Sequence, residues 1–375
     1  VFGSDVERLM ILALAFGFVR YHVQILDFIP SDLNDRGKIV GQVLTRDKDN
    51  KVRTSPVLFT EGRNVDLGSY AGTGCDLSIN NQDHVLIACD SKALKRSDPS
   101  RYKEVNVGGD KRTACFLWSN GKATYVGSVY SAGRLHESDR FLAFRKFDGI
   151  EITQEIATVK NRRAAVSPTP LITPLGTTYK CHTGYSDINE RGTMVGETDF
   201  GYAFSHAVVV ERHGKVTDLH PKVNLHESWA ASFINSKGDI LGMHRFDSSV
   251  GGHSVCLWKN GELSEWPTEK PGVFSAYPFS FNDLDQAVGS GDLYVFAQTS
   301  SRIQSLEAKP PYEVHPVTHA VLWLDGKMFD LNDLTDAPSD CVLDRAFRIS
   351  NKGWIVGTVV QDHKRMGFLL KPILE

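Results

Sequence analysis

Apolar residues along the 375-residue chain fall in short runs. Between 182 and 220 they read HTGYSDIN, GTMVGET, HAVVVE and GKVTDLH, rich in Val, Ile and aromatics and bounded by Gly, Asn and Asp. This pattern predicts four short strands joined by tight turns. Asn and Asp tolerate turn dihedrals, and Gly supplies positive φ at no steric cost. Helical periodicity is not sustained after residue 20.

The unit recurs. DLNDRGKIVGQV, DINERGTMVGET, FINSKGDILGMH, FNDLDQAVGSG and RISNKGWIVGTV share a turn and a following strand. With the turn asparagine as anchor, Asn34, Asn189, Asn235 and Asn282 are each followed seven residues later by Gly41, Gly196, Gly242 and Gly289. Ser350 and Gly357 keep that offset, and Asn80 keeps it with Ile87 in place of glycine. The 109-residue gap from 80 to 189 holds a worn copy, RLHESDRFLA, in which His136, Asp139 and Ala143 replace the anchor, the turn glycine and the late glycine. The spacings are then 46, 56, 53, 46, 47 and 68 residues. Seven copies of four short strands predict an all-β, seven-bladed β-propeller of four-stranded antiparallel blades.

Third strands recur as SPVLF, TACFLW, HAVVVE, HSVCLW, THAVLW and MGFLLK, with Trp118, Trp258 and Trp323 in one column, expected to fill the wedges between blades. Fourth strands recur as GRNVDLG, GKATYVG, GELSEWP and GKMFDLN. In blade three, RAAVSPTPLITPLG (163 to 176) is expected to supply the last two strands. The last copy lacks a fourth strand, whereas YHVQILDF (21 to 28) is spare before the first anchor. The N-terminal strand is therefore expected to complete blade seven beside 366 to 371, removing the free edges of a linear array. That gives a single propeller domain over 21–375, preceded by an apolar segment over 1–20.

These residues resemble the HAF-repeat proteins, named for a His-Ala-Phe at the start of the third strand. HAVVV at 206, THAVLW at 318, INERGTMVG at 188 and the closing segment 328 to 357 carry the likeness, which runs over about 21 to 372. Blade three departs from it, as do blades one, two and seven, where the His is replaced. The resemblance implies a bacterial propeller in an extracellular or periplasmic location, and no particular activity.

Composition narrows the partners. A formal net charge of −3 gives no global field for nucleic acid or an anionic membrane. No run reaches the length of a membrane-spanning helix. LMILALAFGFV (9 to 19) is apolar enough for a trimmed signal or anchor, and is expected instead to pack as a buried segment. None of the six cysteines forms a CxxC pair. Cys115 and Cys256, inside apolar runs, are expected to be buried free thiols. Cys75, Cys89, Cys181 and Cys341 leave a disulfide possible without support from spacing.

Chemistry is sparse. His206, His253 and His319 open third strands on different blades, so they would not converge on one ion and are expected to hydrogen-bond within or between blades. DLNDRG and DINERG hint at calcium, but the acidic residues stop at the turn, which capping explains. No nucleophile elbow, phosphate loop or metalloprotease helix occurs. No cofactor or metal is expected. What stands out is two long links, 90 to 112 and 290 to 318, which meander topology puts on the face opposite the anchor turns. The first is basic and contains Arg101 and Tyr102; the second carries Tyr294, Phe296 and Tyr312. Long loops on a rigid scaffold are common carriers of recognition. These five residues are the candidate partner-binding set of a non-enzymatic, monomeric platform for a protein or a glycan. The alternative is a hydrolase or lyase at the mouth of the central channel.

Overall fold

The computed structural model describes residues 20–373, apart from 47, 51, 69, 71–74, 92–93, 95–112, 130, 138, 148–151, 161–162, 169–182, 200–203, 213–214, 221–226, 246–252, 267–272 and 296–314. Its strands pair antiparallel into seven four-stranded sheets. After β1 (Arg20–Leu26), blade one is β2 to β5 (Ile29–Leu33, Ile39–Arg46, Val52–Thr60, Arg63–Asp66). Blade two is β6 to β9 (Asp76–Ile79, Val85–Asp90, Thr113–Ser119, Lys122–Val129), and blade three β10 to β13 (Ser131–Ala132, Arg140–Phe147, Ile152–Lys160, Arg163–Pro168). Blade four is β14 to β17 (Thr183–Ile188, Met194–Asp199, Ser205–Val210, Val216–Asp218), and blade five β18 to β21 (Ser228–Ile234, Ile240–Arg245, His253–Lys259, Glu262–Trp266). Blade six is β22 to β25 (Val273–Phe281, Ala287–Val295, His315–Leu324, Lys327–Asp330). Blade seven is β26 to β28 (Cys341–Ile349, Ile355–Gln361, Lys364–Ile373), with β1 as its outer strand. Among the described residues, no helix is long and apolar enough to cross a membrane.

The expected closure is present. β1 pairs with β28 from Arg20 opposite Ile373 to Leu26 opposite Gly367. Tyr21 and Leu26 are buried, and burying an aliphatic side chain such as Leu26 contributes roughly 1.5–3 kcal/mol. Asp336 holds the strand from the other side, accepting from the Val23 N–H at 2.9 Å and meeting His22 Nδ1 at 2.8 Å.

The seven turns share one backbone. In each, the anchor N–H donates to the carbonyl four residues on, and the N–H three residues on donates back to the anchor carbonyl. The residue three on, fourth in the turn, has positive φ in every copy: Gly37, Asp83, Asp139, Gly192, Gly238, Asp285 and Gly353. Left-handed backbone favours Gly, with Asp and Asn the side-chain-bearing residues that adopt it most readily. RLHESDRFLA thus forms the anchor turn of blade three without its Asn or Gly.

The late glycine answers a different need. The first strand carries a β-bulge three residues before the anchor in blade one, between Pro30 and Asp32, and likewise in blades four to seven. The bulge turns the carbonyl of the residue five before the anchor onto the second strand. A Cβ on Gly41, Gly242, Gly289 or Gly357 would lie 2.3, 2.0, 1.8 or 1.9 Å from that oxygen. Blade two, with Ile87 in this column, has no bulge, and Leu77 pairs directly with Ile87.

Two of the third-strand tryptophans are buried between blades as expected: Trp323 in a core with Leu241, Val255 and Trp266 of blade five, and Trp258 in one with Val195 and Ala207 of blade four. Trp118 is partly buried against the core that includes Val40 and Leu58 of blade one.

Two expectations are corrected. The last two strands of blade three are Ile152–Lys160 and Arg163–Pro168, so only the fourth comes from 163 to 176. ITQEIATVK alternates weakly and has neither the His nor the Trp that mark other third strands. In blade six the hairpin runs on to Val295 and resumes at His315. The link is therefore 296–314 rather than 290–318, because Tyr, Val and Thr residues at its ends extend the ladder.

Candidate functional site

The first strands of all seven blades converge on one cavity of about 140 Å³, at the anchor-turn end of the central channel. Its wall is built from the anchors, the apolar residue before them in six blades and the polar residue after them, with Arg134; a further tier lies beneath it.

The anchors form the middle tier. Each Asn Oδ1 accepts two N–H groups of its own turn, as Asn282 does from Leu284 and Gln286, both at 3.0 Å. Its Nδ2 then donates to the anchor carbonyl of the next blade. Asn34 reaches Asn80 at 2.9 Å, Asn80 reaches His136 at 3.2 Å, and Asn282 reaches Ser350 at 2.9 Å. Asn189 and Asn235 reach their neighbours at 3.4 Å. Only a side chain with both an acceptor and a donor does both jobs. This is why the chain repeats asparagine: the residue caps its own turn and couples adjacent blades.

Two residues earlier lies the deeper tier. The Asp32, Ser78, Asp187 and Ser280 side chains each accept the N–H before the next anchor, at 3.1, 2.9, 3.0 and 3.3 Å. Asp32 is fully buried and lies 3.6 Å from Arg134 Nε and 3.3 Å from Arg348 Nε. His136 Nε2 lies 3.3 Å from Asp187. Burial pushes the Asp187 carboxyl up, but its bond with His136, the Ile234 N–H and the charge of Arg134 bring it below the usual carboxylate value. The Asp32 charge raises Arg134 further, against burial. Burial lowers Arg348, with the Arg134 charge adding to it.

One residue after the anchors lies the rim: Asp35, Asn81, Glu137, Glu190, Ser236, Asp283 and Asn351. Its backbone N–H groups donate around the ring, each to the side chain of the next blade. The bonds run 35 to 81 at 2.8 Å, 81 to 137 at 2.8 Å, 137 to 190 at 2.9 Å, 236 to 283 at 2.8 Å, 283 to 351 at 2.8 Å and 351 to 35 at 2.7 Å. The short Ser236 side chain interrupts the sequence. Four carboxylates thus face one opening. Burial raises the Glu137 carboxyl, with Glu190 and Asp35 adding to it and the Asn81 N–H opposing. Such a mouth favours a cationic group over an anion, and its carboxylates already serve as structural acceptors.

The third-strand histidines bond as expected, two within their blades and one between blades. His206 Nδ1 meets Asp218 at 3.1 Å and His319 Nδ1 meets Asp330 at 2.6 Å, while His253 Nε2 meets the Ala276 carbonyl at 3.0 Å. His206 also stacks on His220 at 3.9 Å; His220 meets Trp229 edge-on, and Trp229 stacks on His244 at 3.7 Å. His244 is buried and bonds Glu227 at 2.6 Å. This seam joins blades four and five. No group of three or more His, Cys, Asp or Glu arranged to hold a metal occurs among the described residues.

Of the five sequence-derived candidates, Tyr294 lies in β23 opposite Pro316. Arg101, Tyr102, Phe296 and Tyr312 lie outside the described residues. The basic link begins with Ser91 and Leu94, both buried, Leu94 in the core shared by blades one and two. The channel rim was not among the candidates. Its signal was present: the column after the anchor is polar in all seven copies.

No family model matches the chain, and no curated protein does. Among solved structures, the fold is similar to the β-propeller domain of the Trilobed protease from Pyrococcus furiosus. That match has 12% identity over 92% of this chain and 94% of that one, with a TM-score of 0.54. That domain has an open velcro topology, whereas here β1 closes the last blade. The chain also aligns with Pyrococcus horikoshii acylaminoacyl peptidase (10% identity, 92% of this chain and 49% of that one, TM-score 0.49). A puromycin-hydrolyzing peptidase of Mycobacterium tuberculosis matches at 11% identity over 88% of this chain and 55% of that one, with a TM-score of 0.43. The chain spans about half the length of these two peptidases. The likeness is one of fold, and the first of the three carries it.

Proposed function

We propose that the chain is a non-enzymatic propeller that binds a protein or a glycan on the face of its long links. The observation that carries this reading is the engagement of the channel's charged groups. Asp32 and Asp187 hold backbone N–H groups of the next blade and face Arg134, Arg348 and His136. Those groups form the frame of the ring, and recognition then falls to the faces the frame supports. On this reading Arg101, Tyr102, Tyr294, Phe296 and Tyr312 are the contact set. Aromatic residues at the centre of an interface often cost 2 kcal/mol or more each when truncated, and rim charges mainly change on-rate. The likeness to HAF-repeat proteins supports an exported bacterial location, which cell fractionation tests.

The test is an unbiased pull-down together with a glycan array, using wild type beside a variant with Tyr294, Phe296 and Tyr312 changed to Ala. Loss of the retained ligand by a folded triple variant supports the reading. Unchanged affinity in the variant moves the site to the anchor-turn face. A second reading, a hydrolase or lyase at the channel mouth, has one observation in its favour: the raised carboxyl of Glu137 in the cavity wall beside Glu190. Turnover of a peptide or glycosidic substrate that Glu137→Gln abolishes, in a folded protein, selects it.

A further inference from the structure

We propose that Cys75 and Cys89 form a cross-strand disulfide, closed by exchange with an external disulfide such as oxidised glutathione, across the open end of the first hairpin of blade two. Three features of the hairpin bring the two thiols together.

The first is register. In the bulged blades, the residue five before the anchor pairs with the residue eight after it, as Ile29 does with Gln42. Blade two lacks the bulge, and Asp76 pairs with Ala88. Continued one step beyond that ladder, the same register sets Cys75 opposite Cys89 instead of Ala88. The loss of the late glycine thus sets the two cysteines across from each other.

The second is the type of pair. The Asn80 N–H donates to the His84 carbonyl at 3.1 Å, so these two residues form a hydrogen-bonded pair. Antiparallel pairs alternate, and counting outward makes the Cys75 and Cys89 pair non-hydrogen-bonded. Such pairs have Cα atoms about 4.5 Å apart with side chains close. Disulfides span Cα separations of roughly 4.4–6.8 Å.

The third is the shared face. Cys75, Leu77 and Ile79 pack with Val85, Ile87 and Cys89 in one core cluster, whereas Leu86 and Ala88 point into another with Cys115. The neighbouring Cys89 thiol and burial push the Cys75 thiol up, and both are free and buried.

The chemistry balances. One protein thiolate attacks the external disulfide R–S–S–R, forms a mixed disulfide and releases RS⁻. The second thiolate attacks the protein sulfur of that mixed disulfide and releases a second RS⁻. One protein S–S bond replaces two S–H bonds, and the two protons leave on two RSH. Because both thiols are buried, exchange requires a loosened hairpin end, and the closed bond is then shielded from reductant.

The native full-length protein is incubated with oxidised glutathione or with dithiothreitol, then denatured, alkylated without reduction, digested and mapped by mass. The expected result is a 75–89 cross-linked peptide, lighter by two hydrogens, in the oxidised sample only, with Cys115 and Cys256 alkylated in both. Cys75→Ser is expected to leave Cys89 alkylated or glutathionylated and unbridged. Wild-type mapping decides the matter even where that variant folds poorly. Complete alkylation of both residues after native oxidation overturns the proposal. So does a bridge from either one to Cys115, Cys181 or Cys256, or a 75–89 bridge that forms only after unfolding.

Discussion

Blades six and two meet the same requirement at the axis and differ away from it. In both, a serine two residues before the anchor accepts the N–H before the next anchor: Ser280 from Ile349 at 3.3 Å and Ser78 from Leu135 at 2.9 Å. Beyond that point blade six bulges at Phe279, and the Tyr277 carbonyl lies where a Cβ of Gly289 would stand. Blade two runs straight, and Ile87 joins the core. The axis end of each of these two blades is held by the same serine contact to its neighbour. The outer half answers only to its own packing, so glycine with a bulge and isoleucine without one both work. The late glycine belongs to the bulge, not to the turn.

The largest effect that can break this comparison is Gly289→Ile. It forces a branched side chain against a carbonyl that the sheet fixes, and is expected to cost about 3 kcal/mol or to abolish soluble expression. Ile87→Val, the mild change in the straight blade, is expected to cost about 1 kcal/mol. Urea unfolding of the pair measures the contrast, and near-equal costs would sink the link between glycine and bulge.

Next comes the coupling at the axis. Asn282→Ala removes the acceptor for Leu284 and Gln286 and the donor to Ser350. Leaving such groups unpaired is expected to cost about 2 kcal/mol. Ser350→Ala removes only bonds to the N–H groups of Lys352 and Trp354, at 3.3 and 3.2 Å, for about 1 kcal/mol. A reversal of that order in equilibrium denaturation would show that the asparagines act within their turns only.

The worn anchor makes a pH prediction. The folded Asp187 carboxyl lies below its ordinary value of 3.8. Its contribution to stability is therefore complete above that value and lost as pH falls through the folded one. His136→Ala removes one of the groups holding it down and leaves the burial that pushes it up. The acid-side decline in Tm is then expected to begin at higher pH than in wild type. Superimposable Tm–pH curves would remove His136 from the coupling.

The smallest effect sharpens the comparison at the last junction. Asn351 already meets Asp35 with its backbone N–H at 2.7 Å and its side chain at 3.2 Å. Restoring the consensus by Ser350→Asn is therefore expected to change stability by no more than about 0.5 kcal/mol. A gain well above that would mean that the rim does not replace the anchor.

The fold was legible because its signals are local. Positive φ at the fourth turn position selects Gly or Asp, and the turn N–H groups select Asn, so each copy carries its own mark. Even the worn copy at 136 kept its spacing. The third strand of blade three was misplaced because ITQEIATVK lacks the marks and the proline-containing stretch after it drew the assignment. The channel rim was legible only in part. Its polar column can be read, but the bonds from Asp35 to Asn81 or Asn351 to Asp35 join residues that adjacency does not connect. The thiol pair was hidden for a related reason: a shift of one residue in register decides which side chains meet, and in blade two that shift follows from the missing bulge.

The shared last blade bears on the order of assembly. β1 is made before the six contiguous blades, and its partner β28 after them. At ribosomal rates of 5–20 residues per second the interval is on the order of tens of seconds. Throughout it, a strand carrying Tyr21 and Leu26 has no permanent neighbour. Whatever shelters that strand in the interval, a chaperone or a transient contact, is needed only until β28 arrives. Substitutions on β1 should therefore slow the yield of native protein during synthesis more than they speed its unfolding once made.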